Sequence, residues 1–369
     1  MEIQAIGIIG ANGTGGGAAE AFLRHGFQVR LYDDFKDSLA VALARISWSL
    51  RQDGREDLLR GIEGIQDLSK FKGADIVIEA ASKSAEERRA LFSRLLPGLD
   101  GHCLVAARCS VRPLGGLLER VELPVERTLG LNFSKPARTS KLVELVRTPR
   151  VTDEYVEAAA AMLRRIGRTP VVVKDNPGQI VQRLTRPFIL AAMRLLEAGK
   201  GYPHEIDAAF RELAQAPAGP FEAADAAGLD QDYDASDFIY EALGRPERLA
   251  PSPTQLRLVQ YGQLGRKSTI GFYIYEEGRI VGENPILRNL VKYLGLRKTG
   301  KEEIFGELMR PVVEEAKLLA PEIMASEYDI ETCMKLALGW PKGPFSYSRE
   351  LGGLLERKKA SEFDSLDTF

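Results

Sequence analysis

The sequence has little cysteine and little histidine. Its 369 residues include three residues of each kind. Cys103, Cys109 and Cys333 have no paired spacing, and His102 beside Cys103 does not complete a metal-binding pattern. These features argue against a disulfide framework and against a zinc site. They predict a protein of the reducing cytoplasm that holds no metal ion.

An excess of one charge and a long apolar run are also missing. There are 50 lysines and arginines against 52 aspartates and glutamates, which gives a net charge of -2. This balance argues against a nucleic-acid surface and against a polybasic membrane anchor. No apolar stretch reaches about 18 residues, so no transmembrane helix is expected. We therefore expect a small-molecule partner, with neither nucleic acid nor membrane among the partners.

What the sequence does have is a clear strand, turn, helix and strand at its start. Residues 5–9 are apolar and run into a glycine cluster, a small-residue segment follows over 15–25, and residues 28–32 form a second apolar run. This order is typical of the opening unit of a doubly wound parallel sheet. Further apolar runs that continue the sheet lie at 76–78, 104–107, 128–133, 142–146 and 170–173.

The pattern changes to long helices after the turn signal Asp175–Gly178. Within the helical half, residues 206–221 recur as residues 330–345, at a constant offset of 124. Two copies are too few for a solenoid and indicate a duplicated domain. The predicted fold class is α/β followed by all-α, a Rossmann-like domain and then a mainly helical domain that contains a two-fold repeat. The predicted domains are 1–176, 177–285 for the first helical copy and 300–369 for the shorter second copy.

The glycine cluster predicts a dinucleotide site. The turn between the first strand and the first helix includes Gly10, Asn12, Gly13, Thr14 and Gly15. Such a turn places a pyrophosphate at the N-terminus of the helix. Asp33 lies 23 residues after Gly10, at the end of the second strand, where a carboxylate binds the ribose 2′-OH. Because this carboxylate would repel a 2′-phosphate, NAD is the predicted cofactor rather than NADP.

One residue departs from the glycine pattern. Asn12 stands where a second glycine normally lets the backbone approach the phosphates. Asparagine tolerates a positive φ better than other residues with a Cβ, so we expect the turn to form. Its side chain would still crowd the pyrophosphate. We therefore expect NAD binding that is weakened rather than abolished.

The segment from residue 6 to residue 33 resembles, without gaps, the start of the 3-hydroxyacyl-CoA dehydrogenases. Further blocks resemble the family's serine segment, its GLHFFNP, KLVE and KDxPGFIVNRL motifs and its helical MGPF and GKKTGxGFY motifs, at 106–110, 130–136, 141–144, 174–184, 219–221 and 265–273 respectively. The resemblance covers residues 3 to about 350. It implies an NAD-dependent oxidoreductase that acts on an acyl thioester of CoA or of a carrier protein.

The resemblance also implies four catalytic positions, two of which are changed here. In the family, a histidine accepts the substrate's hydroxyl proton, a glutamate twelve residues later orients the histidine, and a serine and an asparagine position the substrate oxygen. Ser110 and Glu144 keep two of these residues, whereas Asn132 stands at the histidine position and Gln182 at the asparagine position. A neutral asparagine cannot take up a proton. Loss of a general base typically costs about 100-fold to 10,000-fold in rate.

Four more residues fall at positions that approach the cofactor in the family. Lys135 replaces an asparagine near the nicotinamide, and a lysine desolvated in such a cleft can exchange protons near neutrality. It is a candidate surrogate acid or base, and the alternative is that it neutralises Glu144 or a phosphate. Lys83 stands where the family has an acidic residue near the nicotinamide ribose. Arg88 keeps a basic position on the same helix, and Lys267 matches a lysine that contacts the cofactor.

Two functions remain compatible with the sequence. The leading hypothesis is an oxidoreductase for 3-hydroxyacyl thioesters with an altered proton relay. The alternative is a silenced or repurposed relative that binds NAD or an acyl thioester without dehydrogenation. A third hypothesis, an unrelated dehydrogenase that uses Lys135 on a 2-hydroxy acid, fits the helical repeats less well. Because a second repeat can cover the face through which single-repeat members pair, either a monomer or a homodimer is expected.

Overall fold

The structure, a computed structural model, describes residues 1–81, 84–118, 121, 123–134, 137–290, 299–350 and 352. The chain forms two compact units, and the boundary between them lies between Gln179 and Ile180. Lys83 and Lys135, two of the predicted site residues, lie outside the described residues, as does most of the charged tail.

An eight-stranded sheet forms the centre of the first unit. Its strands are β1 (Ala5–Ile9), β2 (Gln28–Tyr32), β3 (Ile62–Ile65), β4 (Ile76–Glu79), β5 (Leu104–Arg108), β6 (Thr128–Phe133), β7 (Leu142–Arg147) and β8 (Thr169–Lys174). They are ordered β3-β2-β1-β4-β5-β6-β7-β8. Every neighbouring pair is parallel except β6 and β7, which are antiparallel. The predicted doubly wound sheet is confirmed.

Both faces of the sheet are buried, which explains why its strands read as continuous apolar runs. The helices of this unit are α1 (Thr14–Arg24), α2 (Lys36–Gln52), α3 (Ala85–Leu95), α4 (Gly115–Leu118) and α5 (Asp153–Arg165). One core cluster joins Ile6 and Ile8 to side chains of α1, α2 and α5. A second cluster on the opposite face joins Val77 and Val105 to α3. The alternation of side chains along each strand assigns them to these two clusters.

The second unit is mainly helical. Its elements are α6 (Val181–Glu197), α7 (Pro203–Ala214), α8 (Pro220–Ala227), α9 (Leu229–Ala242), α10 (Pro253–Gln260), β9 (Tyr273–Glu276), β10 (Arg279–Glu283), α11 (Leu287–Leu290), α12 (Lys301–Ile323), α13 (Glu327–Leu338) and α14 (Pro344–Glu350). Strands β9 and β10 pair as an antiparallel hairpin. None of the helices in the described ranges combines the length and the apolar character that a membrane crossing requires.

The first copy of the repeat is held together by a buried carboxylate. Asp207 on α7 accepts hydrogen bonds from the N–H groups of Phe221 and Glu222 at the start of α8, at 2.9 and 3.0 Å. A Cβ at Gly219 would lie 2.4 Å from the Asp207 side chain, so only glycine fits there. Burial raises the pKa of Asp207 to about 7, although these donors lower it.

The second copy repeats this arrangement 124 residues later. Glu331 on α13 accepts hydrogen bonds from the N–H groups of Phe345 and Ser346 at the start of α14, at 2.8 and 3.0 Å. A Cβ at Gly343 would lie 2.7 Å from the Glu331 carboxylate. The offset found in the sequence therefore relates two copies of one structural device, a carboxylate that caps the following helix.

The two copies meet through buried charges. Helix α12 of the second copy packs against α6 and α7 of the first copy. Arg183 on α6 forms an ion pair with Glu315 on α12, and both side chains are fully buried. Glu315 also pairs with Arg248 at 2.6 Å. Each of these buried charges would be costly without its partner. The ion pairs therefore stabilise the contact between the two copies within one chain.

Candidate active site

The glycine turn between β1 and α1 forms a tight backbone cradle. The N–H group of Gly10 donates to the carbonyl oxygen of Tyr32 at 2.8 Å, and Gly10 has φ 101°. A Cβ at Gly10 would lie 2.9 Å from backbone atoms of Ala81, and a Cβ at Gly15 would lie 1.8 Å from the carbonyl oxygen of Gly10. The shape of this turn therefore depends on residues without a side chain.

The turn tolerates Asn12, but not because asparagine can adopt a positive φ, as the sequence had suggested. The positive φ values in this turn belong to Gly10 and Gly13, and Asn12 has none. Gly13 has φ 48° and precedes α1, and a Cβ there would meet no atom within 4 Å. Asn12 is exposed, and its backbone does not adopt a positive φ. Among the described residues, no side chain caps α1, so its first N–H groups can receive an anion.

Asp33 has the position expected of the ribose-binding residue, and it also shapes the turn. Its two carboxylate oxygens accept hydrogen bonds from the N–H groups of Ala11, at 2.8 Å, and Phe35, at 3.0 Å. The side chain is almost fully buried, so these bonds fix its orientation. A carboxylate has about four acceptor positions, which leaves capacity for a ribose hydroxyl. The glycine cradle and this acid together fit a dinucleotide.

Arg88 has partners within the protein. Its Nη2 atom donates to Oε2 of Glu79, at 2.6 Å, and to the carbonyl oxygen of Arg108, at 2.9 Å. The Glu79 side chain is fully buried, and burial raises the pKa of Glu79 although the Arg88 cation opposes this change. The pair holds the end of β5 two residues before Ser110. The structure thus gives Arg88 a structural role, and the predicted cofactor contact stays a prediction.

The segment after the serine is held from the other side by residues 175–178. The N–H group of Gly178 donates to the carbonyl oxygen of Val111 at 2.8 Å. The carboxylate of Asp175 accepts hydrogen bonds at 2.9 and 2.7 Å from the N–H groups of Leu114 and Gly115. In the sequence, Asp175 belongs to the domain-boundary turn and to the interdomain motif at 174–184, but no role of its own was predicted for it. This aspartate is a positioning residue that the interdomain motif could have indicated.

Asn132 and Glu144 lie opposite each other on β6 and β7. They are register partners in the antiparallel pair, and Nδ2 of Asn132 donates to Oε2 of Glu144 at 2.7 Å. Glu144 is fully buried and Asn132 is partly exposed. An asparagine whose amide nitrogen donates to a carboxylate keeps its carbonyl oxygen as an acceptor. The pair can therefore receive a hydrogen bond from a hydroxyl group, but Asn132 cannot hold the proton.

The serine and the asparagine lie at one edge of the sheet. The N–H group of Cys109 donates to the carbonyl oxygen of Leu131 at 3.4 Å, which places Ser110 beside the end of β6. A Cβ at Gly130 would lie 2.4 Å from the sulfur of Cys109, so this glycine lets β5 and β6 approach. Burial holds the pKa of Cys109 well above its usual value, so this thiol is not a nucleophile. The carboxyl ends of β1, β2, β5 and β6 meet at this edge, where such sheets bind ligands.

A buried arginine holds the loop that follows Lys135. Arg168 donates to the carbonyl oxygens of Ala137 and Arg138, at 3.0 and 2.7 Å, and to that of Ser140. These bonds fix the described part of the loop between β6 and β7. The proposed proton exchange at Lys135 stays a prediction.

Two predicted site residues belong to the second unit. Gln182 lies in the first turn of α6. Lys267 forms an ion pair with Asp230, with 2.6 Å between the ammonium nitrogen and a carboxylate oxygen. The roles of Gln182 toward the substrate and of Lys267 toward the cofactor stay predictions.

Comparison with known proteins gives two matches to domain families. Residues 5–176 match the 3-hydroxyacyl-CoA dehydrogenase, NAD binding domain, and residues 178–275 match the C-terminal domain of the same family. The match to the NAD-binding domain, together with the cradle and Asp33, confirms NAD as the cofactor.

Individual proteins that are similar to this chain carry names of the same family. The 3-hydroxyadipyl-CoA dehydrogenase of Escherichia coli K12 is 33% identical over 76% of this chain, although the match spans only 60% of that relative. The 3-hydroxybutyryl-CoA dehydrogenase of Bradyrhizobium diazoefficiens is 32% identical over 76% of this chain and 98% of its own length. Among solved structures, 3-hydroxybutyryl-CoA dehydrogenase from Escherichia coli K12 has a TM-score of 0.85 at 26% identity and covers 95% of this chain and 92% of its own.

Proposed function

Since the chain belongs to the 3-hydroxyacyl-CoA dehydrogenase family, we propose that it interconverts a 3-hydroxyacyl thioester and a 3-oxoacyl thioester through a proton path that does not use residue 132. NAD, when bound, supplies the acceptor or donor of the hydride. The observation that carries the proposal is the bond of 2.7 Å between Asn132 and the buried Glu144. Asn132 keeps a polar pair with Glu144 beside Ser110. It does not, however, provide a side chain that can carry the proton.

The side chains at this edge have separate tasks in the proposed reaction. The hydroxyl group of Ser110 holds the substrate oxygen. The carbonyl oxygen of Asn132 accepts a hydrogen bond from the substrate hydroxyl, and Glu144 fixes the asparagine amide through the opposite end of that side chain. The proton itself leaves to water or to Lys135. Because positioning and hydrogen bonding remain, we expect a slow enzyme rather than an inert one.

A CoA thioester is the proposed substrate class, because the relatives that match along the chain are named for CoA esters. A thioester of a carrier protein is the second possibility for the carrier. We also propose a cytoplasmic protein that is either a monomer or a homodimer. The ion pair between Arg183 and Glu315 supports the monomer, because it joins the two helical copies inside one chain. Light scattering at several protein concentrations would test this state.

A second candidate function is binding without turnover. The same pair supports it, because neither nitrogen nor oxygen of a neutral amide takes up a proton near neutral pH. In that case the protein would bind NAD and an acyl thioester as a sensor or assembly component. This candidate predicts retained affinity for NADH and no oxidation of it.

Absorbance at 340 nm with acetoacetyl-CoA and NADH distinguishes the two candidates. Wild type is compared with Asn132→His, with Ser110→Ala and with the double variant. The dehydrogenase proposal predicts wild-type turnover above that of Ser110→Ala, and a gain of about 100-fold or more in Asn132→His, the usual contribution of a general base. Absent wild-type turnover, together with intact NADH binding, would overturn it in favour of the binding protein.

A further inference from the structure

Arg45 on α2 lies against the first turn of α1. A Cβ built on Gly16 would lie 2.7 Å from Nη2 of Arg45 and 2.4 Å from the carbonyl oxygen of Ala11. The guanidinium therefore approaches the dinucleotide turn from the side of α2, and it can do so because residue 16 has no side chain. Arg45 itself is exposed.

No acidic side chain in the first turn of α1 balances the charge of Arg45. The N-terminus of a helix carries a partial positive charge, so a cation beside it is repelled. The first turn of α1 contains no acidic residue. In the part of the chain that the structure describes, Arg45 forms neither a hydrogen bond nor an ion pair. Nearby Arg24 and Arg138 instead share the buried carboxylate of Glu20.

We propose that Arg45 binds the pyrophosphate of NAD(H) and supplies affinity that the turn loses at Asn12. A glycine at position 12 would let backbone N–H groups approach the phosphates closely. A guanidinium reaches farther than the backbone and binds phosphate oxygens through two parallel hydrogen bonds. The proposal rests on the cofactor site and not on dehydrogenation, so it holds for either candidate function.

Binding titrations test the proposal with NADH, ADP and adenosine as probes. Fluorescence gives the affinity for NADH, and calorimetry gives those for ADP and adenosine. In Arg45→Ala, affinity for NADH and ADP falls about tenfold, the loss expected for one charge-assisted contact, and adenosine is unaffected because it has no phosphate. The salt dependence of NADH binding also becomes weaker. Arg45→Lys keeps part of the affinity because it keeps the charge.

Arg51→Ala is the matched control. This arginine is exposed on the same helix, and its guanidinium lies 3.9 Å from the carboxylate of Glu56. Its removal changes the net charge as much as Arg45→Ala does. We expect NADH affinity to stay unchanged. In an Asn12→Gly background, Arg45→Ala has a smaller effect, because the backbone then supplies part of the contact.

Three results would overturn the proposal. The first is an affinity for NADH in Arg45→Ala within twofold of wild type. The second is an equal loss of adenosine affinity in Arg45→Ala, which indicates a disturbed fold. The third is an equal loss of NADH affinity in Arg51→Ala. These results do not depend on turnover. Failure of the dehydrogenase proposal would appear instead as absent NADH oxidation with the binding data unchanged.

Discussion

The glycine turn and the β6–β7 strand pair each contain an asparagine at a position where the family pattern has another residue. In the turn, Asn12 is tolerated because the required backbone shape comes from Gly10 and Gly13. In the strand pair, the register and the bond of 2.7 Å between Asn132 and Glu144 are kept, yet the side chain that would carry a proton is missing. The turn depends on backbone shape, whereas the strand pair depends on acid–base chemistry.

This difference shows that geometry and chemistry can separate at one edge of a sheet. A neutral amide fills the same place and forms the same bond to the carboxylate as a neutral imidazole can, so packing and register do not reveal the loss. The change shows only in the proton capacity of residue 132. Retained fold and retained activity therefore need separate tests.

The largest expected effect is at Gly15, where backbone shape is essential. In Gly15→Ala the new Cβ would lie 1.8 Å from the carbonyl oxygen of Gly10. Because backbone must move to relieve this overlap, we expect the free energy of unfolding to fall by more than about 3 kcal/mol. Urea denaturation measures it. Gly26→Ala, at the end of α1, is the matched control, with open space around its Cβ and a cost of about 1 kcal/mol for its positive φ. Equal losses would contradict a turn set by close approach.

The next effect concerns charge at the strand pair. In the Asn132→His background, we expect Glu144→Gln to lower kcat about 100-fold, or about 2.7 kcal/mol, because a carboxylate orients and stabilises the protonated imidazole. With Asn132 present, the same substitution changes turnover little, since a glutamine oxygen can still accept from the amide nitrogen. NADH oxidation at 340 nm measures both. A similar loss in both backgrounds would show that Glu144 acts only through packing.

A third test separates support of the site from its chemistry. Arg88→Ala leaves the buried Glu79 without its cation. We expect a loss of about 2 kcal/mol in the free energy of unfolding at pH 7, less than for a fully buried pair because Arg88 is partly exposed.

This loss depends on pH through Glu79. Burial already raises the pKa of Glu79 in the folded protein, and removal of Arg88 raises it further. Below the pKa that Glu79 has in the unfolded chain, its carboxyl is protonated in both states and is buried at little cost. The stability that this gives the folded protein is lost as pH rises through the pKa of Glu79 in the folded state. The difference in stability between wild type and Arg88→Ala should therefore grow as pH rises above the pKa that Glu79 has in folded wild type, which burial already places above that of an exposed glutamate. Urea denaturation at several pH values measures it, and a loss independent of pH would contradict this assignment.

The smallest expected effect is at Asp175, which orients the segment after Ser110. Asp175→Asn keeps the size of the side chain but weakens the bonds to the N–H groups of Leu114 and Gly115. We expect kcat in the Asn132→His background to fall about fivefold, equivalent to about 1 kcal/mol. NADH affinity should not change, because the dinucleotide turn is separate. A loss of NADH affinity with kcat intact would contradict a positioning role.

The strands that were predicted from the sequence differ in burial from β3, which was not predicted. Strands β4 to β7 were predicted because each is a run of mostly buried apolar residues, and β8 was predicted from its apolar run although it is only partly buried. Strand β3 was not predicted, because it lies at the edge of the sheet, has only four residues and includes Gly64. A short edge strand is specified by its neighbour more than by its own composition.

The sequence by itself determined the order of elements, the dinucleotide turn and the positions of Ser110, Asn132 and Glu144. Periodicity and motif spacing are local properties, so they can be read from the chain. Only the tertiary structure decided the partners of Arg88 and Asp175, the source of the turn's shape at Asn12 and the approach of Arg45 to Gly16. These features join residues on different elements, and packing alone brings such residues together.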